Sequence, residues 1–144
     1  MITVKIDLQD ALKGLNILQE GVVSAIGIAL HKSAFIVQSH SVEEAPNVTG
    51  NLRAKIAVDK IGELTYSVIP KTEYAVWVHD GTRPHYIEGN NYLYWNGASH
   101  PVTHVFHPGT KPNPFMLRGL EASREEMIDT FERELNKAVD KFNK

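Results

Sequence analysis

The sequence predicts an α+β fold: N-terminal helices, a central antiparallel β-meander with a hairpin insert, and a long C-terminal helix packed on the sheet. Three observations predict it. Apolar residues between Leu8 and Val37 recur mostly every three or four positions. The middle of the chain alternates apolar and polar residues between turn-forming clusters. After Pro114 the helical spacing returns and runs to the end. With 144 residues, 42% of them hydrophobic, the chain suits one domain over residues 1–144. A domain of that size buries roughly two thirds of the surface its unfolded chain exposes.

Residues 2–6 (ITVKI) alternate, so residues 1–7 form a short strand or an extended arm. From Leu8 onward, Leu12, Leu15, Leu18, Val22, Ile26 and Leu30 mark one helical face. Glycines at 14, 21 and 27 each weaken a helix by about 1 kcal/mol relative to alanine. The expectation is a short helix, a break between Gly14 and Gly21, and a longer helix to about Glu44, which Pro46 stops. Residues 51–58 and 64–69 flank the turn DKIGE and form a hairpin. EYAVWVHDGT (73–82) is a strand or a helical turn ending at glycine. HYIE (85–88) and YLYW (92–95) surround Gly89-Asn90-Asn91, a second hairpin. Asn96-Gly97 is a further turn, and HPVTHVF (100–106) alternates. In the final helix Leu117, Leu120, Met127, Phe131, Leu135, Ala138 and Phe142 make an apolar stripe that Arg124 interrupts. Acids crowd its first half and lysines its end, an order that suits the helix dipole.

Charge and composition exclude several functions. Fifteen basic and 17 acidic residues give a net charge of −2 with no basic block, whereas a dedicated duplex binder shows a Lys/Arg stripe. No cysteine is present, which removes thiol catalysis and Cys-based metal sites. The N-terminus lacks the pattern of a signal peptide. Residues 21–37 are the most apolar stretch, but His31 and Lys32 break it, so it reads as a core helix and not a membrane span. The totals point to a soluble, intracellular single domain.

Histidines are frequent, with five of the seven between residues 79 and 107. His100, His104 and His107 raise a metal site. In a strand, however, His100 and His104 lie about 13 Å apart, too far to share one zinc ion. His79 and Asp80 raise a catalytic dyad, but adjacent side chains on an extended chain diverge. No serine sits in a Gly-x-Ser-x-Gly elbow, and Gly109-Thr110-Lys111 lacks the rest of a phosphate loop. Neither catalysis nor a cofactor nor a metal is expected.

One motif occurs twice: HDGTRP at residues 79–84 and HPGTKP at 107–112. In each copy glycine (Gly81, Gly109) permits a turn, threonine bonds locally, and proline fixes an extended exit. Both read as rigid corners. Their basic residues, Arg83 and Lys111, reach toward a neighbouring surface, and Phe115 anchors the start of the last helix.

EEAPNVTGNLRAKI (43–56) resembles the Pro-x-x-Thr-Gly-x-Leu-Arg element of the neck and tail-completion (head–tail joining) proteins of long-tailed bacteriophages and prophages. YAVWVHDGT (74–82) is similar to that family's Tyr-Ala-x-x-Val-Glu-x-Gly-Thr, and KPNPFMLRGLE (111–121) to its Pro-x-Pro-Phe-Met-x-Pro-Ala-Leu. All three occur in order between an N-terminal and a C-terminal helix. The chain departs at His79, where the family usually has Glu, and at Arg118-Gly119, where it often has Pro-Ala. The resemblance implies a non-enzymatic assembly protein of the virion's head–tail junction, made in the host cytoplasm. It would work as a ring, commonly of six copies, between the major tail tube protein and the head-closure or connector protein. DNA would only pass through, and no membrane is involved.

The resemblance carries Thr49, Gly50, Leu52 and Arg53 to a corner between helix and sheet. It carries Tyr74, Trp77, Gly81 and Thr82 to the central motif, and Pro112, Pro114 and Phe115 to the opening of the last helix. Leu52, Trp77 and Phe115 are expected in the core. The expected contacts with other copies are Arg53, Tyr74, His79, Thr82, Arg83 and Lys111. The alternatives are a small DNA-binding or toxin-like regulatory protein and, less favoured, a histidine metalloenzyme.

Overall fold

The computed structural model describes the backbone from Gln9 and the side chains from Asn16, so the arm read at residues 1–7 lies outside the described residues. Helix α1 is Gln9–Glu44, one unbroken rod. The break expected between Gly14 and Gly21 does not occur. Each glycine costs a helix only about 1 kcal/mol, and packing along the last helix outweighs that. Helix α4, Phe115–Phe142, lies against α1 in the largest interface between elements of the fold.

Between the two long helices the chain makes two small sheets instead of one continuous meander. A single helical turn, α2 (Asn51–Ala54), follows Gly50, whose φ of 77° only glycine adopts easily. Residues 51–54, read above as strand, are therefore helical. That turn drops Leu52 into the core, and β1 (Ile56–Gly62) begins two residues later. It pairs antiparallel with β2 (Thr65–Pro70), with an irregularity between Lys60 and Gly62. Helix α3 (Ala75–Asp80) ends at Gly81.

Strands β3 (His85–Leu93) and β4 (Val102–His107) form the second sheet. Here the expected hairpin is corrected. The chain does not reverse at Gly89-Asn90-Asn91; it runs through them with a shift of register between Glu88 and Leu93. The reversal comes at Asn96-Gly97, where Ala98 N–H donates to the Trp95 carbonyl at 2.9 Å and Gly97 has a φ of 100°.

The core gathers where the end of α1, α2, β1, α3 and the start of α4 converge. Ala45, Leu52, Ile56, Ala75 and Phe115 are buried there, with Val42, Val68, Tyr74, Val78 and Met116 packed around them. Phe115 is fully buried. No basic residue stands in the last turn of α1, and two distant arginines supply the charge. Arg53 donates to the carbonyls of Ala45 (2.7 Å) and Glu43 (3.1 Å). Arg118 donates to the Glu44 carboxylate (2.7 Å), the Glu44 carbonyl (3.2 Å) and Asn113 Oδ1 (2.7 Å). A helix end carries about half a negative charge, which cations there stabilise.

The face that α4 turns to α1 is small and polar. Gly119, Ser123, Thr130 and Glu134 are buried against a row on α1 that includes Ala25, Ala29, Ser33 and Ser41. A Cβ placed on Gly119 would stand 2.5 Å from the Cα of Ser41, so the two backbones approach as closely as glycine allows. Of the expected apolar stripe, Met127, Phe131, Leu135 and Ala138 are half-buried, while Leu117, Leu120 and Phe142 face outward. Glu134 accepts from Lys32 (2.7 Å) and Lys137 (3.1 Å). Those two ammonium groups hold its carboxyl below the usual 4.5 against the opposing effect of burial.

Replacing Gly119 with alanine forces the helices apart, and we expect a loss of about 1–3 kcal/mol in urea unfolding. Because the Glu134 carboxyl is more acidic when folded, the stability it adds is complete above pH 4.5 and is lost as pH falls through its lower folded value. Unfolding curves of the native chain and of Glu134→Gln should therefore differ most near neutrality and converge in acid.

Candidate assembly interface

The two copies of the repeated motif meet each other. Thr82 and Thr110 form an isolated antiparallel bridge, with each N–H donating to the other's carbonyl at 3.1 Å. Their hydroxyls lie 3.1 Å apart, and the Thr110 N–H also reaches Thr82 Oγ1 at 3.0 Å. The preceding glycines make this possible. Gly81 has φ 74° and ψ 179°, a conformation almost confined to glycine, and a Cβ on it would stand 2.5 Å from the Thr110 carbonyl oxygen. Gly109 has φ 85°, and its Cβ would strike the Thr82 carbonyl oxygen. Each corner thus fits into the other's backbone. Two further bonds, from Asn113 N–H to the carbonyls of Val78 (3.1 Å) and His79 (3.0 Å), tie the second corner to the end of α3.

This crossing is the root of the β3–β4 hairpin. At its first pair, His85 stands opposite His107, with ring centroids 5.2 Å apart. The Arg83 carbonyl can only accept, so His85 carries its proton on Nδ1 (2.8 Å); the Gly109 N–H can only donate, so His107 Nδ1 is bare (3.1 Å). The next pair, Tyr86 and Phe106, meets edge to face at 5.2 Å on the other side of the ribbon, and both rings are mostly in solvent. Beyond the root the hairpin packs mainly on itself. Tyr92, Tyr94 and Trp95 near its turn are also exposed.

Beside the root lies an open groove of about 420 Å³. Tyr74, Trp77, Thr82 and Lys111, all singled out from sequence, line it together with His85 and His107. Trp77 corrects an expectation. It is 59% exposed, because α3 turns Ala75 and Val78 inward and leaves Val76 and Trp77 outside. Tyr74 accepts a bond from Asn51 Nδ2 at 3.0 Å, which joins the Thr49-Gly50 corner to α3. Arg83 is exposed at the crossing.

Two of the expected contact residues sit elsewhere. Arg53 is engaged at the end of α1. His79 packs edge-on against Phe115 at 5.6 Å and bonds Asp80 at 2.7 Å. That last pairing was not expected from an extended chain; it joins neighbouring residues at the end of α3. Pro112 leads out of the crossing and Pro114 caps α4. Among the described residues no three His, Asp or Glu side chains gather as a metal site. The sequence reading missed His85, Tyr86 and Phe106, whose signal was the matched alternation of the two strands, and it weighed His107 only as a metal ligand and as the start of a corner.

Two long helices, two short ones, two small hairpins and a bridged pair of corners beside an exposed aromatic groove define an α+β protein. The chain belongs to the HK97-gp10-like family, described as "Bacteriophage HK97-gp10, putative tail-component", whose model matches residues 9–81, about half its length. It is accordingly a structural component of a phage tail, associated with the virion. No curated protein and no solved structure matched the chain.

Alanine at Gly81 or Gly109 should destabilise the fold by at least about 1–3 kcal/mol each, from backbone strain alone. Both changes break one crossing, so the double variant should lose less than the sum, as read by thermal unfolding of all three.

Proposed function

We propose that this protein is a ring-forming component of the head–tail junction, completing the tail or neck around the channel through which DNA leaves. It acts without catalysis. Its partners are further copies of itself, the major tail tube protein and the head-closure or connector protein. The observation that carries this reading is the aromatic hairpin standing off the body beside an open groove. Solvent-exposed rings of this kind are typical anchors of protein interfaces.

Charge supports a protein partner over a nucleic acid. Residues 84–110, which include the whole hairpin, contain no Lys or Arg and a single carboxylate, Glu88. Phosphate binding needs cations that release counterions, and this arm offers none. A ring of such subunits lets DNA slide through without gripping it. Within it Trp77, Tyr74, Thr82, Arg83 and Lys111 meet the neighbouring chain, and Arg53 and His79 act by holding the surface in shape.

The test is complementation of a phage lacking this gene. The native chain should restore joined particles, and the gene-deficient stock should accumulate separate heads and tails in electron micrographs. Trp77→Ala and the double change Tyr86→Ala with Phe106→Ala should fold normally, since exposed substitutions usually shift stability by within about 0.5 kcal/mol. A hot-spot aromatic is worth about 2 kcal/mol or more, so each variant should assemble at least ~30-fold less well. Normal joined particles from the gene-deficient stock would refute the proposal.

A further inference from the structure

Helix α4 carries two rows of side chains with inverted character. The row facing α1 is small or polar after Phe115: Gly119, Ser123, Thr130 and Glu134. The row turned outward is Leu117, Leu120, Ile128, Val139 and Phe142, each between 43% and 52% exposed, with Phe131 and Leu135 half-buried among them. Successive members lie three or four positions apart once Arg124 is counted, so they form one stripe along the 28-residue helix. Helix α1 is inverted in the same way. It buries Ala25, Ala29, Ser33 and Ser41 and exposes Ile17, Ile28 and Phe35, which stand eleven and seven residues apart on one face. A soluble helix pair ordinarily turns its large apolar residues inward, and long apolar stripes left outside mark contact surfaces.

We propose that these two stripes are the two halves of one joint: the outward face of α4 packs against the outward face of α1 on a second copy of this chain. Charge selects that occupant. Around its stripe α4 exposes Glu121, Glu125, Asp129 and Glu132, so two α4 helices brought together would set these acids against one another. Helix α1 has no carboxylate between Glu20 and Glu43, and it presents His31 beside Ile28 and Phe35, while Lys32 is already paired with Glu134 of its own chain. A bilayer is the other apolar environment to consider, since residues Asn16–Glu44 are long and apolar enough to span one by composition. The acids bordering the α4 stripe and Lys32 at mid-helix disfavour it. Contact between two different patches of one chain is head-to-tail, the kind that closes into rings. The inference rests on the ring reading above and adds which surfaces make the ring.

The chain has no cysteine, so single thiols report contacts cleanly. Single-cysteine variants at Ile17, Ile28 or Phe35 are mixed pairwise with variants at Leu117, Ile128 or Val139. Mild oxidation follows, both in concentrated full-length protein and in particles assembled from the two chains together. At least one α1–α4 mixture should give disulfide-linked pairs containing one chain of each kind, well above either variant alone. Ile128→Asp should weaken self-association at least ~30-fold while leaving helical circular dichroism unchanged. Particles that contain both variants yet show no mixed pair would overturn this joint and leave the ring reading intact. So would I128C chains linking chiefly to themselves, or a native chain that floats with phosphatidylcholine vesicles. A chain that neither self-associates nor enters particles would overturn both.

Discussion

Two arginines from distant parts of the sequence hold the carbonyl end of α1, Arg53 through Glu43 and Ala45, Arg118 through Glu44. The core is assembled around that point. Arg53 follows Leu52, so satisfying the helix end also seats Leu52 against Ala45 and Ile56. Arg118 follows Phe115 by less than a turn, so the same act seats Phe115. Without partners, the last carbonyls of α1 would be left as unsatisfied acceptors beside an apolar cluster, a costly arrangement. One electrostatic requirement thereby places the starts of both α2 and α4.

The dipeptide Arg118-Gly119 departs from the pattern the chain otherwise resembles, and the two residues act together. Arg118 draws the start of α4 to Glu44, and Gly119 removes the side chain that would keep it from Ser41. A proline at the first position would supply no guanidinium. An alanine at the second would press on the backbone of α1. Sequence comparison marks this pair as an irregularity; the geometry makes it a matched adaptation.

How far the sequence was legible depended on the range over which each feature is decided. The final helix and the strand β2 follow from local periodicity and turn chemistry and emerge almost at their expected bounds, whereas α1 runs through the expected break and β1 begins at Ile56. The second hairpin did not emerge as expected, because Gly89-Asn90-Asn91 and Asn96-Gly97 are both good turns. The partner strand decides between them: pairing His85 with His107 and Leu93 with Val102 leaves only residues 94–101 to reverse the chain. Trp77 was misplaced because residue type suggested burial, whereas a six-residue helix has inward room for little more than Ala75 and Val78. The repeated corners were readable as turns. That they lock into one another is a tertiary fact, invisible to spacing alone. The stripe on α4 was readable as apolar, but not which way it would face, since the choice fell to Gly119 and Ser123.

The bridged corners also separate what is fixed in this molecule from what is free to vary. At the hairpin's base, two glycines with a carbonyl against each leave no slack. At its far end, Asn96-Gly97 touches little, and a Cβ on Gly97 would meet nothing within 4 Å. Loop closure grows only slowly more costly with length, so that end can be extended or rebuilt without disturbing the mount. The arm is in effect an exchangeable tool on a standard fitting, and descendants facing different neighbours could change its reach while keeping the same body.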